Sequence, residues 1–181
     1  MHIPDGFVNL GTAVTTYAAS AGAIAYSVKR TSAKLQERQV PLMGVMAAFV
    51  FAAQMINFRV AGGTSGHLLG GALVAILLGP WAGTLVITAV LAVQAFIFQD
   101  GGLLALGANV FNMAVVGVWS AWGIYRLITR LVAGRRGVLV GSVVSAWASV
   151  VIASLVAAIE LAISGASPLS VVLPAMGLVH M

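Results

Sequence analysis

The chain has 181 residues, 61% of them apolar even with its 21 glycines left out, and only 7% are charged. Soluble domains carry about 25% charged residues and need them to cover their surface. A cytoplasmic globular enzyme, a nucleic-acid module and a disordered tail are therefore excluded, and an integral membrane protein remains. Nine cations outweigh four acids, giving a net charge of +5. All the cations except Arg59 fall in two clusters, Lys29/Arg30/Lys34/Arg38 and Arg126/Arg130/Arg135/Arg136, which punctuate apolar runs as topology signals do. There is no cysteine, so disulfides and thiolate metal sites are ruled out. The opening Met1-His2-Ile3-Pro4-Asp5-Gly6 has an early acid and no basic region, so no cleavable leader is expected.

A bilayer core needs about 20 apolar residues of helix. Residues 7–28 are uncharged and end at Lys29-Arg30, predicting a first span. Residues 40–58 predict a second, with Pro41 at a helix-start position. Arg59 to Gly66 is a polar, glycine-rich break, and 67–79 is short for a span. Pro80 opens the next run, which lasts to Phe98 and ends at Gln99-Asp100-Gly101-Gly102. Residues 108–125 and 138–163 give two further runs, and 169–181 begins another that is too short to cross. The expectation is an all-α polytopic bundle of six to seven transmembrane helices. It forms one transmembrane domain over 1–181 that stops within its last helix. The positive-inside rule puts both cation clusters in the cytoplasm and the N-terminus outside. Met1, His2, Asp5 and His67 then share the external face. Small residues at four-residue spacing (Ala19/Ala23, Ala21/Ala25, Gly66/Gly70, Ser145/Ser149) fit close helix packing.

Few residues can do chemistry. No phosphate-binding Gly-x-x-x-x-Gly-Lys-Ser/Thr loop occurs, so any ATP coupling belongs to a partner. The Met1 amine, the His2 backbone nitrogen and the His2 ring Nδ1 can close a five-membered and then a six-membered chelate ring on one ion. Histidine at the second position blocks removal of Met1, which keeps that amine in place. Such binding needs the amide deprotonated, which Cu(II), Ni(II) and sometimes Co(II) promote; tetragonal nitrogen sets suit Cu(II) and Ni(II), while Zn(II) prefers tetrahedral sites. His67 lies on the correct side to fill the open corner. The plainer readings are that His2 merely follows the first residue and that His67 starts a helix at an interface. Gln54 and Asn57 share a helix face, as do Asn109 and Asn112. They line a route to the site, fix the loop that presents His67, or serve as interhelical hydrogen bonds, the last being favoured. Glu160 is an intramembrane acid or an interfacial one, and Arg59 is expected to anchor at the headgroups.

The opening Met1-His2-Ile3-Pro4-Asp5-Gly6-Phe7 resembles the N-terminal signature of the CbiM/NikM family, the substrate-binding (S) components of cobalt and nickel energy-coupling factor (ECF) transporters. The segments Gly62-Gly63-Thr64-Ser65-Gly66-His67-Leu68-Leu69-Gly70-Gly71 and Gly107-Ala108-Asn109-Val110-Phe111-Asn112-Met113 are also similar to that family. The resemblance implies a six-helix core plus an extra N-terminal helix that inserts the chain start into the bundle. It implies Co(II) or Ni(II) as transported substrate and no organic cofactor. The metal would be held by the Met1 amine, the His2 amide and ring, and the His67 ring. Asp5 would orient an imidazole or balance charge, and Ser65, Asn109 and Asn112 would stand around the site or its route. The implied partners are a transmembrane coupling (T) subunit, two cytoplasmic ATPases, a small auxiliary membrane subunit and the lipid of a bacterial or archaeal cell membrane. The small residues at 18–25 are a candidate docking face. Family members normally continue beyond Met181 through a last helix, which leaves the lower part of the bundle and His180 without an assigned role.

Two rivals come from other classes. Gly63-Thr64-Ser65-Gly66, extended by Gly70, fits the rhomboid serine-protease pattern, with Ser65 as nucleophile and His180 as the histidine from another helix. An ATP-independent metal carrier or channel is the third possibility.

Overall fold

The computed structural model describes residues 2–33, 37, 39–56, 58–59 and 65–180. Met1, Asn57 and Thr64 lie outside the described residues. Helix α1 spans Leu10–Ser32 and is capped by Asn9, whose Oδ1 accepts from the Thr12 N–H at 2.8 Å. Helix α2 spans Gln39–Met55. A two-residue antiparallel ladder follows, β1 (Phe58–Arg59) against β2 (Ser65–Gly66), with Phe58 opposite Gly66 and Arg59 opposite Ser65. Helix α3 (Gly71–Leu78) has only eight residues, about 12 Å of rise, so it cannot cross a bilayer core. Gly79 at φ 81° then reverses the chain, and Pro80 occupies the first turn of α4 (Pro80–Phe98).

Helix α5 (Leu106–Val110), a π-helical stretch over Phe111–Gly117 and α6 (Val118–Leu131) follow one another without a break in helical dihedrals. Helix α7 spans Gly134–Ile163, and α8 spans Leu169–His180 with Pro174 inside it. Among the described residues, two helices, Pro80–Phe98 and Gly134–Ile163, are long and apolar enough to cross a membrane. The cation clusters, expected in loops, sit largely on helix ends: Lys29 and Arg30 in the last turn of α1, Arg130 in the last turn of α6, and Arg135 and Arg136 in the first turn of α7. Lys and Arg are good helix formers, and their long stems let the charge reach water from a helical position.

Helix α4 is the centre of the bundle and packs on α1, α2, α3 and the π segment, while α6 and α8 both lie against α7. The buried positions are unusually polar: Gln54, Thr84, Gln94, Asn109, Asn112, Ser145, Ser149 and Ser154 are all hidden. Many large apolar side chains, among them Leu10, Phe96, Ile97, Leu131 and Val143, face outward. Polar groups inside and apolar groups outside is the distribution a lipid solvent selects.

At one end, Trp81 packs edge-on against Tyr26 and Trp119, and Trp119 against Trp122. Arg30 lies 5.0 Å from the Tyr26 ring centroid and Arg126 lies 4.8 Å from that of Trp122. This aromatic and cationic belt is what a headgroup layer accommodates. The chain start packs at the opposite end, beside the last turn of α4.

Candidate metal centre

The chain start is sewn into the bundle by α5 and the segment that joins it to α4. The Ile3 N–H donates to Asn109 Oδ1 at 2.8 Å, and Asn109 Nδ2 donates back to the Ile3 carbonyl at 3.1 Å. The Gly102 N–H donates to the same carbonyl at 2.9 Å. The Ile3 side chain is buried among Ala105, Ala108, Ala157, Ala158, Val172 and Met176. Burying so short a segment leaves no room for side chains opposite it. A Cβ added to Gly102 would lie 2.1 Å from Asp5 Oδ1 and 2.3 Å from the Asp5 backbone nitrogen. Gly101 adopts φ +93°, a conformation glycine reaches without strain.

The Asp5 carboxylate is fully engaged by backbone. Oδ1 accepts from Leu104 N at 2.8 Å and Ala105 N at 3.2 Å, and Oδ2 accepts from Leu103 N at 3.1 Å. These amides precede α5, so Asp5 fixes the loop that holds the chain start. The resemblance implies that Asp5 orients an imidazole or balances charge; the acid near a histidine is Asp100, whose Oδ1 lies 3.4 Å from His2 Nδ1.

His2 and His67 come together across 65 positions of sequence, with ring centroids 4.7 Å apart and planes 16° from parallel. The His2 side chain is only 4% exposed. Its Nε2 lies 3.1 Å from Gln94 Oε1, and its Nδ1 lies 3.4 Å from Asp100 Oδ1 with no hydrogen-bond partner. His67 Nδ1 lies 2.9 Å from the Leu68 carbonyl, which can only accept; that nitrogen therefore carries the proton and the lone pair falls on Nε2. Buried Gln54 donates from Nε2 to the Leu69 carbonyl at 2.6 Å and so fixes the segment that presents His67. Beside it Gly70 adopts φ +76°, and a Cβ there would lie 2.6 Å from Val50 Cγ1.

Burial pushes the His2 imidazole down to about 4, against the Gln94 hydrogen bond, which raises it. Burial also pushes His67 down to about 3, and the charge of a protonated His2 would lower it further. Both rings are thus neutral at physiological pH, the form that binds a metal ion. Among the described residues, no three His, Cys, Asp or Glu side chains converge into a metal cage. A site here therefore needs donors of another kind, such as backbone nitrogen or a terminal amine.

The other sequence candidates lie elsewhere. Asn109 acts on the chain start, while Asn112 Nδ2 donates to Glu160 Oε2 at 2.6 Å within the bundle. Ser65 pairs with Arg59 in the ladder, and His180 Nδ1 lies 2.7 Å from the Met176 carbonyl one turn back on α8. Sequence reasoning missed Gln94 and Asp100. Gln94 sits inside the apolar run of α4, 92 positions from His2, and only its polarity in that setting marks it.

Residues 2–181 match the family described as the cobalt uptake substrate-specific transmembrane region, CbiM. The chain is 42% identical over 182 residues to a putative fused nickel transport protein of Archaeoglobus fulgidus, covering 99% of this chain and 59% of that protein. It is 39% identical over 196 residues to a fused nickel transport protein of Rhodobacter capsulatus, covering 100% of this chain and 56% of that protein. The chain thus spans little more than half of these fused relatives. Its fold is similar to the crystal structure of a truncated transition metal transporter, with a TM-score of 0.93 at 34% identity, covering 99% of this chain and 89% of that one.

Proposed function

Because the chain belongs to the CbiM family of cobalt-uptake transmembrane regions, we propose that it is the substrate-specific membrane subunit of an energy-coupling factor importer for Ni(II) or Co(II). Residues 1–181 form one multi-pass transmembrane domain in a bacterial or archaeal cell membrane, with the N-terminus outside. The Met1 amine, the His2 backbone nitrogen and ring, and the His67 ring hold the ion. A transmembrane coupling subunit and two cytoplasmic ATPases, helped by a small auxiliary membrane subunit, then turn the loaded bundle inward. The outward-facing Ala18, Ala19, Ala21, Gly22 and Ala25 on α1 form the docking face for the coupling subunit.

The observation that carries this reading is the pair of His2, its side chain only 4% exposed, and half-buried His67, with rings 4.7 Å apart and His2 Nδ1 lacking a hydrogen-bond partner. A buried polar nitrogen without a partner costs about 1–3 kcal/mol, a cost that a coordinated ion removes. Five- and six-membered chelation from the chain start explains why three carboxylates or thiolates are not needed. The segment that clamps Ile3 and Asp5 holds the chain start where one further ligand can meet it. Orientation is supported by the aromatic and cationic belt, which lies at the opposite end from His2.

No observation favours the protease reading. Ser65 pairs with Arg59 in the ladder, His180 Nδ1 lies beside the Met176 carbonyl on α8, and the relatives are named as metal transport proteins. The test is uptake of radioactive nickel or cobalt by cells expressing this chain with its coupling and ATPase subunits. Uptake should require every subunit and should be lost in His2→Ala. Uptake without the ATPases would favour the carrier reading, and unchanged uptake in His2→Ala would overturn the metal set.

A further inference from the structure

We infer that Gln94 is the positioning residue of the metal centre: its amide oxygen holds His2 in the Nε2–H tautomer and so makes Nδ1 the ligating nitrogen. The inference rests on the metal-receptor reading and names a residue which that reading does not require. An amide oxygen can only accept, so at 3.1 Å from Gln94 Oε1 the His2 Nε2 must carry the ring proton. The lone pair then lies on Nδ1, the nitrogen that can close a six-membered ring with the residue's own backbone nitrogen. The opposite tautomer would point an Nδ1–H at Asp100. Their separation of 3.4 Å is well beyond the roughly 2.7–2.9 Å of a charge-assisted N–H···O bond. A lone pair facing a carboxylate oxygen at that distance is instead the arrangement that a divalent cation stabilises.

Gln94 also fixes that carboxylate. Its backbone carbonyl accepts from the Asp100 N–H at 3.0 Å and from the N–H of Gln99, which turns α4 off in the left-handed conformation. One residue thus orients the ring with its side chain and the acid with its backbone. Gln94 is fully buried on α4 beside Val90, Leu91 and Ala95, and its Nε2 has no partner. A side chain that leaves a buried donor unsatisfied to present its oxygen to an imidazole is placed for that imidazole.

The test uses full-length protein in detergent with ¹⁵N-labelled histidine, Gln94→Met and Gln94→Glu variants, and Ni(II) as probe. Nitrogen shifts of the metal-free wild type, with His2 assigned by difference against His2→Ala, should show the proton on Nε2. Gln94→Met, which has no strong acceptor, should mix the tautomers and weaken Ni(II) binding by about 10–100-fold, the usual cost of losing a ligand's outer partner. Gln94→Glu, which keeps an acceptor oxygen, should return the tautomer and most of the affinity. A proton on Nδ1 in the wild type, or wild-type affinity in Gln94→Met, overturns the inference and leaves the receptor reading standing. The wild-type spectrum decides the tautomer even if Gln94→Met fails to fold. Absence of Ni(II) binding by the wild type overturns the receptor reading and this inference with it.

Discussion

Gly102→Ala is the smallest change that should disable the site without touching a ligand. The new Cβ would stand 2.1 Å from Asp5 Oδ1 and 2.3 Å from the Asp5 backbone nitrogen, so the chain start must move. Moving it breaks the three hydrogen bonds that the Asp5 carboxylate accepts from Leu103, Leu104 and Ala105 and the Gly102 bond to the Ile3 carbonyl. Asp5 is exposed, so each bond contributes about 1 kcal/mol or less. Together they hold the chain start by about 2–4 kcal/mol. At about 1.4 kcal/mol per decade, metal affinity should fall roughly 30- to 1,000-fold. The bundle itself should persist, because α4, α6 and α7 pack without the chain start. Isothermal titration with Ni(II) reads the affinity, and circular dichroism confirms that helix content is kept. Wild-type affinity in Gly102→Ala would refute the claim that this loop clamps the chain start in its binding position.

Three further outcomes follow from the same geometry. His67→Ala should weaken Ni(II) binding by at least about 100-fold, the upper range for losing an outer partner alone, with thermal stability little changed; transport at the normal rate would make His67 structural. Gln54→Leu leaves the Leu69 carbonyl without its donor, but it also removes an unpartnered Oε1, so thermal unfolding should report a net loss near the low end of about 1–3 kcal/mol. No loss of stability or affinity would mean that Gln54 does not fix the His67 segment. Folded His2 and His67 titrate near 4 and 3, below the ordinary 6.5, so the folded state binds fewer protons than the unfolded chain in that window. Their contribution is therefore full above about pH 6.5 and is lost as pH falls toward 4. The unfolding temperature should drop between pH 7 and pH 5 in the wild type and less so in a His2→Gln/His67→Gln variant; parallel curves would contradict the shifts.

The helices were legible because uncharged apolar runs of the right length have few alternatives in lipid, and Pro80 marked the start of α4. Their ends were less legible: Arg126 and Arg130 read as loop residues yet continue α6, since a long cationic side chain reaches the headgroups from a helix. The π-helical stretch over Phe111–Gly117 leaves no trace in composition. At the site, the histidines stood out through rarity and the resemblance of their segments to a known family. The role of Asp5 did not, because its partners are backbone amides about 100 positions away. Gln94 and Asp100 escaped for a related reason. Their chemistry depends on the turn that closes α4, and nothing local to either residue points at His2.

The central claim is that the chain start itself is a ligand. Its most direct test is Ni(II) and Co(II) titration of detergent-purified protein beside the same chain carrying one extra N-terminal residue. The extension displaces the Met1 amine and makes it an amide while leaving His2, His67 and the bundle in place. The account predicts stoichiometric binding by the native terminus and none by the extended one. Equal binding by both, or none by either, would contradict it.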